Sequence, residues 1–149
     1  MYRKAFFTIC LNGFALAFTW GITVTNIPWL FDRVGIKETD LGIWFTIFAV
    51  LQLIFSQISG RLIVPLIGTT KTLMLGQLSF AIFPYIFITA SNIQTFFLSS
   101  IPLSIAAGLI FPTIASSTNF IENKTKRIYQ TYQQASFSFG FIISGIFAS

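Results

Sequence analysis

The chain has 149 residues, 54% of them hydrophobic and 9% charged, with a formal net charge of +5 and a mean hydropathy of +0.80. That is more apolar material than a soluble domain of this length uses for its core. Residues 72–121 carry no Asp, Glu, Lys or Arg, a pattern expected where hydrocarbon is the solvent, because a full charge there costs several kcal/mol. The composition excludes a soluble globular protein, and the scattered basic residues form no continuous stripe that could track nucleic-acid phosphates.

The fold class expected is therefore all-α, a polytopic bundle of transmembrane helices lying in a lipid bilayer. The first uncharged run, 5–31, is longer than the roughly 20 residues that cross about 30 Å of hydrocarbon, and a span is placed at about 5–30. Its apolarity continues past Ala15 and Ala17 to Trp29, which a cleaved signal peptide does not explain. Pro28 is expected to mark the helix exit. Cys10, inside this run, gives neither a disulfide framework nor a metal-binding spacing.

Polar residues gather at 31–40, with Thr39 or Asp40 placed to cap the next helix, and a second span follows at about 41–60. Arg61 and Lys71 flank a connection in which Pro65 and Gly68 should break regular structure. The third span is expected at about 72–90, a tight turn at Ser91, Asn92, Ile93 and Gln94, and the fourth span at about 95–118. Glu122, Lys124, Lys126 and Arg127 form the next charged loop, and apolarity returns at Ala135. A fifth span at about 128–149 reads as unfinished, since fifteen residues from Ala135 reach only about 22 Å. Arg3, Lys4, Arg61, Lys71, Lys124, Lys126 and Arg127 fall on one side of this topology and Arg33 and Lys37 on the other. The positive-inside rule then makes the N-terminus cytoplasmic. Trp29 and Trp44, near span ends, read as interfacial anchors.

Ser59-Gly60-Arg61-Leu62-Ile63-Val64-Pro65-Leu66-Ile67-Gly68-Thr69-Thr70-Lys71 resembles the cytoplasmic loop signature of the major facilitator superfamily, with Gly60, Arg61, Gly68 and Lys71 as its recognisable pieces. It departs from the pattern where the family carries an acid and then a base, here Val64 and Pro65, and its second Gly comes one position late. Residues 34–42 and Gln134-Ala135-Ser136-Phe137-Ser138-Phe139-Gly140 with Gly145 resemble the bacterial sugar-permease-like, fucose-permease-related branch, which implies the plasma membrane of a bacterium, its inner membrane, as the location. The resemblance implies a twelve-helix secondary transporter in two halves, of which these residues would supply an incomplete N-terminal half. It also implies small-solute transport, with a sugar-like or other substrate, that needs the missing C-terminal helices or a partner membrane protein and is absent from this chain alone.

Thr8, Asn12, Thr19, Thr23 and Asn26 recur on one stripe of the first span. Since the resemblance puts that helix at the substrate cavity, Asn12, Thr19, Thr23 and Asn26, with Trp20 as a stacking surface, are the cavity candidates. Interhelical hydrogen bonding is the competing reading of the stripe. Ser100, Ser104, Gly108, Pro112 and Ser116 repeat every four residues, as do Ser136, Gly140, Ser144 and Ala148, and such seams of small residues suit close helix packing. Gln52 and Gln57 are amides that need partners. No Asp, Glu, His, Lys or Arg lies mid-span, and with no His in the chain and every acid in a loop there is no constellation for an enzyme, a metal or a cofactor. The alternative function is a standalone small membrane protein that acts as an assembly partner through its seams.

Overall fold

A computed structural model describes residues 2–147. The described residues form helices α1 (Tyr2–Thr25), α2 (Ile27–Val34), α3 (Glu38–Ile58), α4 (Val64–Ile67), α5 (Thr69–Thr89), α6 (Ile93–Leu98), α7 (Ser100–Thr125) and α8 (Gln130–Phe147), with a π-helical segment Ser59–Ile63 joining α3 to α4. No strand occurs among them, and the protein is an all-α transmembrane bundle. Among the described residues four stretches are long and apolar enough to cross a membrane: Tyr2–Thr25, Glu38–Ile67, Thr69–Thr89 and Ile93–Thr125. Polar residues fill the first turns of α8, Gln130, Thr131, Gln133 and Gln134, and α8 is not among the four.

Local chemistry explains the boundaries and corrects several of the expectations. The first helix ends at Thr25 and not at Pro28, which instead occupies the first turn of α2, where a missing N–H breaks no bond. Lys37, not Thr39 or Asp40, caps α3, and Asp40 serves from inside the first turn by accepting the Lys37 N–H at 2.9 Å. Pro65 does not break the connection: it follows directly on the π-helical turn Ser59–Ile63, and the helix runs on to Ile67 before Gly68. Gly68 ends it with φ 82°, a conformation open to glycine. Asn92 opens α6 by accepting the Thr95 N–H at 2.9 Å. The Glu122–Arg127 loop is shorter than expected, since α7 runs to Thr125 before Lys126 turns the chain with φ 57°.

The helices group into two compact units, one made of α1, the C-terminal part of α7 and α8, the other of everything from α2 to Thr113. In the second unit α3 and α7 run parallel along a seam of small residues. Ser104 Oγ donates to the Phe48 carbonyl at 3.1 Å. A Cβ at Gly108 would stand 2.5 Å from the Phe55 Cβ and 3.0 Å from the Gln52 carbonyl oxygen. Small side chains allow this approach, which compensates for lipid tails offering no hydrophobic drive to associate. From the other side α5 crosses antiparallel, with Gly76 against Leu109 and Ile110 and Phe87 near Phe96, 5.8 Å between ring centroids.

Trp44 is the centre of this unit and no interfacial anchor. It is 1% exposed, its ring 5.7–6.3 Å from those of Phe48, Phe83, Phe87 and Phe96. Its Nε1–H donates to the Phe96 carbonyl and to Ser99 Oγ, both at 3.1 Å. The α6–α7 junction places those two acceptors side by side, which gives a buried indole the partner it requires. Trp29 is 47% exposed, with the Arg33 guanidinium 4.8 Å from its ring centroid. Arg33 Nη1 also donates to the Ile88 carbonyl at 2.9 Å, in the last turn of α5, where a cation suits the helix end.

One turn beyond Phe55 on the seam, Ser59 opens the π-helical segment fully buried, with no hydrogen-bond partner for its Oγ. A buried hydroxyl that bonds nothing is a net cost. Ser59→Ala is therefore expected to leave the thermal unfolding midpoint in detergent unchanged or to raise it, by up to about 1 kcal/mol of stability. A clear drop would show that the hydroxyl is bonded, for instance to an internal water.

In the first unit α1 and α8 run parallel in close contact. The Ser136 Oγ donates to the Cys10 carbonyl at 3.0 Å. A Cβ at Gly140 would meet the Phe14 carbonyl oxygen at 2.6 Å and the Ala17 Cβ at 2.9 Å, and Ser144 lies directly against Gly21. Glu122 ties α7 to α8: its Oε1 accepts the Tyr129 and Gln130 N–H groups at 2.6 and 2.7 Å. This places a carboxylate on the amide donors that the start of α8 leaves open. Ala148, the last member of the sequence-predicted α8 seam, lies outside the described residues.

Candidate functional site

The sequence-predicted cavity residues lie along α1 and, at Asn26, directly after its last residue. At 100° per residue, Thr8, Asn12, Thr19, Thr23 and Asn26 occupy one face, and Cys10, Gly13, Phe14, Ala17 and Gly21, which meet α8, centre roughly 180° away. The seam with α8 therefore leaves the polar face unused. Thr23 is buried, Asn12, Thr19, Trp20 and Asn26 are half-buried, and Thr8 is exposed.

Several of these polar side chains bond back into their own helix. Thr8 Oγ1 donates to the Lys4 carbonyl at 3.1 Å, Asn12 Nδ2 to Thr8 at 2.8 Å, Thr23 Oγ1 to Thr19 at 2.8 Å and Asn26 Nδ2 to Ile22 at 2.7 Å. Such bonds to the preceding turn satisfy a donor without a partner helix. These bonds engage the Thr8 and Thr23 hydroxyls and one N–H of each amide. Hydroxyl-rich solutes are recognised by directed donors, so this matters for what the face can bind.

Flanking the α8 seam is a group that sequence reasoning did not single out. Phe14 and Phe18 stack at 6.0 Å, Phe14 lies 6.0 Å from Phe139, and Phe18 lies 6.0 Å from Phe147, edge to face. Phe139 and Phe147 are exposed. Phenylalanine in a membrane helix reads as lipid-facing, and the chain has 19 of them, so only the pairing of two helices far apart in sequence brings this set together.

The sequence-predicted residues of the α3–α5 connection, Gly60, Arg61, Gly68 and Lys71, are all exposed. A Cβ at Gly60 or Gly68 would meet nothing within 4 Å, and Gly68 is required for its positive φ alone. Ser100, Ser104 and Gly108 lie along α7, where Ser104 and Gly108 meet α3. Ser136, Gly140 and Ser144 meet α1. Gln52 is half-buried and Gln57 exposed. Among the described residues no three His, Cys, Asp or Glu side chains gather where a metal ion could be held.

Residues 9–149 match the sequence profile of the Major Facilitator Superfamily. The chain is 29% identical to multidrug resistance protein 1 of Bacillus subtilis (strain 168) over 138 residues, 91% of this chain and 35% of that protein. It is likewise 29% identical to multidrug resistance protein 2 of the same organism over 143 residues, 95% of this chain and 36% of that protein. Against the quinolone resistance protein NorA of Staphylococcus aureus it is 25% identical over 112 residues, 75% of this chain and 29% of that protein. The chain thus spans about a third of the length of the curated relatives it matches. No solved structure gives a significant match.

Proposed function

The chain belongs to the Major Facilitator Superfamily and is a multi-pass membrane protein of transporter type, and from that membership we propose that it supplies N-terminal helices of a bacterial inner-membrane secondary transporter that exports apolar, drug-like solutes. The observation that carries this reading is the chemistry of α1. The Thr23 hydroxyl and one N–H each of Asn12 and Asn26 are engaged by their own backbone, while beside the seam Phe14, Phe18, Phe139 and Phe147 offer ring faces. Ring stacking and apolar contact tolerate many solutes, whereas sugar recognition rests on directed hydrogen bonds. The resistance proteins named above are matched along nearly the whole chain, which supports the same solute class.

In this reading Asn12, Thr19, Trp20, Thr23 and Asn26 face the solute path, and Gly60, Arg61, Gly68 and Lys71 lie at the cytoplasmic end of the second span. In the same reading the N-terminus is cytoplasmic, which the Lys/Arg bias supports. A sugar-like solute, the expectation from the 34–42 and 134–140 motifs, is the second reading, favoured by the amides of Asn12 and Asn26.

Expression of the complete reading frame containing these residues in a drug-sensitive bacterium separates the two. Lower accumulation of a lipophilic cationic dye than in cells without the protein is the expected result. Sugar uptake without dye export would overturn it. Alternating access requires two bundles rocking about a midplane site. Liposomes holding only these 149 residues are therefore expected to show no solute flux above lipid alone.

A further inference from the structure

The continuous helical stretch Glu38–Ile67 is 30 residues long, about 45 Å at 1.5 Å per residue, against a hydrocarbon layer of about 30 Å. One end is fixed by Lys37, Glu38 and Asp40, which belong in water or among headgroups. Counting about 20 residues of hydrocarbon from Leu41 ends the buried part near Gly60. The next residues are Arg61 and then six apolar ones, Leu62, Ile63, Val64, Pro65, Leu66 and Ile67, before Gly68 reverses the chain. Within this segment Leu62 is 57% exposed, Leu66 80% and Ile67 36%. Hiding all of it by tilt would need about 40°, the upper end of what membrane helices show, and would draw Arg61 into hydrocarbon.

The segment is bracketed by Arg61 and Lys71, both exposed, and no acid occurs between Asp40 and Glu122. Apolar side chains flanked by cations, standing at the level where hydrocarbon gives way to headgroups, have the chemistry of an interfacial anchor. We infer that Leu62–Ile67 is an interfacial foot: its exposed apolar side chains rest in the acyl–headgroup boundary, and Arg61 and Lys71 hold it there by pairing with anionic phospholipid headgroups. The occupant of this surface is lipid, selected by charge. The foot in turn fixes the vertical position of α3, along which Trp44, Phe48 and Phe55 set the register with α7.

The test is a single nitroxide spin label at position 66, introduced as Leu66→Cys in a Cys10→Ala background, in the full chain reconstituted into nanodiscs. Collision with oxygen, which partitions into acyl chains, is compared with collision with a water-soluble nickel chelate. In discs rich in phosphatidylglycerol the label is expected to favour oxygen, and in purely zwitterionic discs, or in Arg61→Gln/Lys71→Gln, to shift toward the nickel chelate. Helicity by circular dichroism checks that the double variant stays folded. A label reached by the nickel chelate alone in all discs, one shielded from both reagents by protein, or an oxygen preference indifferent to lipid charge would each overturn the inference. None of these outcomes bears on what the transporter carries.

Discussion

Gly140→Ala is expected to push α8 off α1 and to lower stability by about 1–3 kcal/mol, the range for forcing a methyl group into a packed site. The added carbon would stand 2.6 Å from the Phe14 carbonyl oxygen, 2.9 Å from the Ala17 Cβ and 3.1 Å from the Phe18 nitrogen. All three belong to the backbone of α1 or to a side chain with no rotamer to change, so only movement of a whole helix can relieve the contact. Gly140→Leu should dissolve the pair. The same helix supplies its own control. At Gly145 a Cβ would meet nothing within 4 Å, and Gly145→Ala should stabilise by about 0.5–1 kcal/mol through helix propensity. Thermal unfolding of both variants in detergent reads out the contrast of sign. Equal effects at the two positions would mean that α1 and α8 are not in contact along this line.

Charge placement made the helices and their order legible before any coordinates, because in lipid an ionisable residue marks a span end with a penalty no local propensity can match. The four-residue spacing of Ser136, Gly140 and Ser144 likewise pointed to close packing, but not to its partner. That α8 pairs with α1 in parallel depends on contacts over a hundred residues apart, such as Ser136 to Cys10, and no local pattern encodes them. Ends governed by single bonds were harder to read. Asp40 caps from inside the helix, and Glu122 reaches back across a loop to two amides of α8, so a carboxylate's identity showed that it was useful without showing where. Pro65 misled for a physical reason: it lies within the continuous helix Glu38–Ile67, where its missing N–H would ordinarily break the ladder, but the π-helical turn Ser59–Ile63 directly before it has already shifted the bonding pattern.

Trp44→Ala is expected to cost about 3–5 kcal/mol, as removal of a large buried aromatic does, and to be the most damaging single change in the α2–Thr113 unit. The sequence placed Trp44 at an interface because an indole one turn into a span fits a membrane boundary as well as a core. What decides between them is the α6–α7 junction, where the Phe96 carbonyl and Ser99 Oγ turn toward the ring. The loss can be divided. Interhelical hydrogen bonds in membranes contribute about 0.6 kcal/mol on average and at most about 1.7, since the separated helices also find partners. Trp44→Phe, which removes the N–H and keeps a ring among Phe83, Phe87 and Phe96, should therefore lose well under half of what Trp44→Ala loses. A double-mutant cycle of Trp44→Phe with Ser99→Ala should return a coupling no larger than that bond, about 1 kcal/mol. Tryptophan fluorescence gives an independent reading: Trp44, at 1% exposure, should be shielded from aqueous quenchers that reach Trp29, at 47%. If Trp44→Phe proved as damaging as Trp44→Ala, the hydrogen bond and not the aromatic packing would be what seats α3 against the α6–α7 junction.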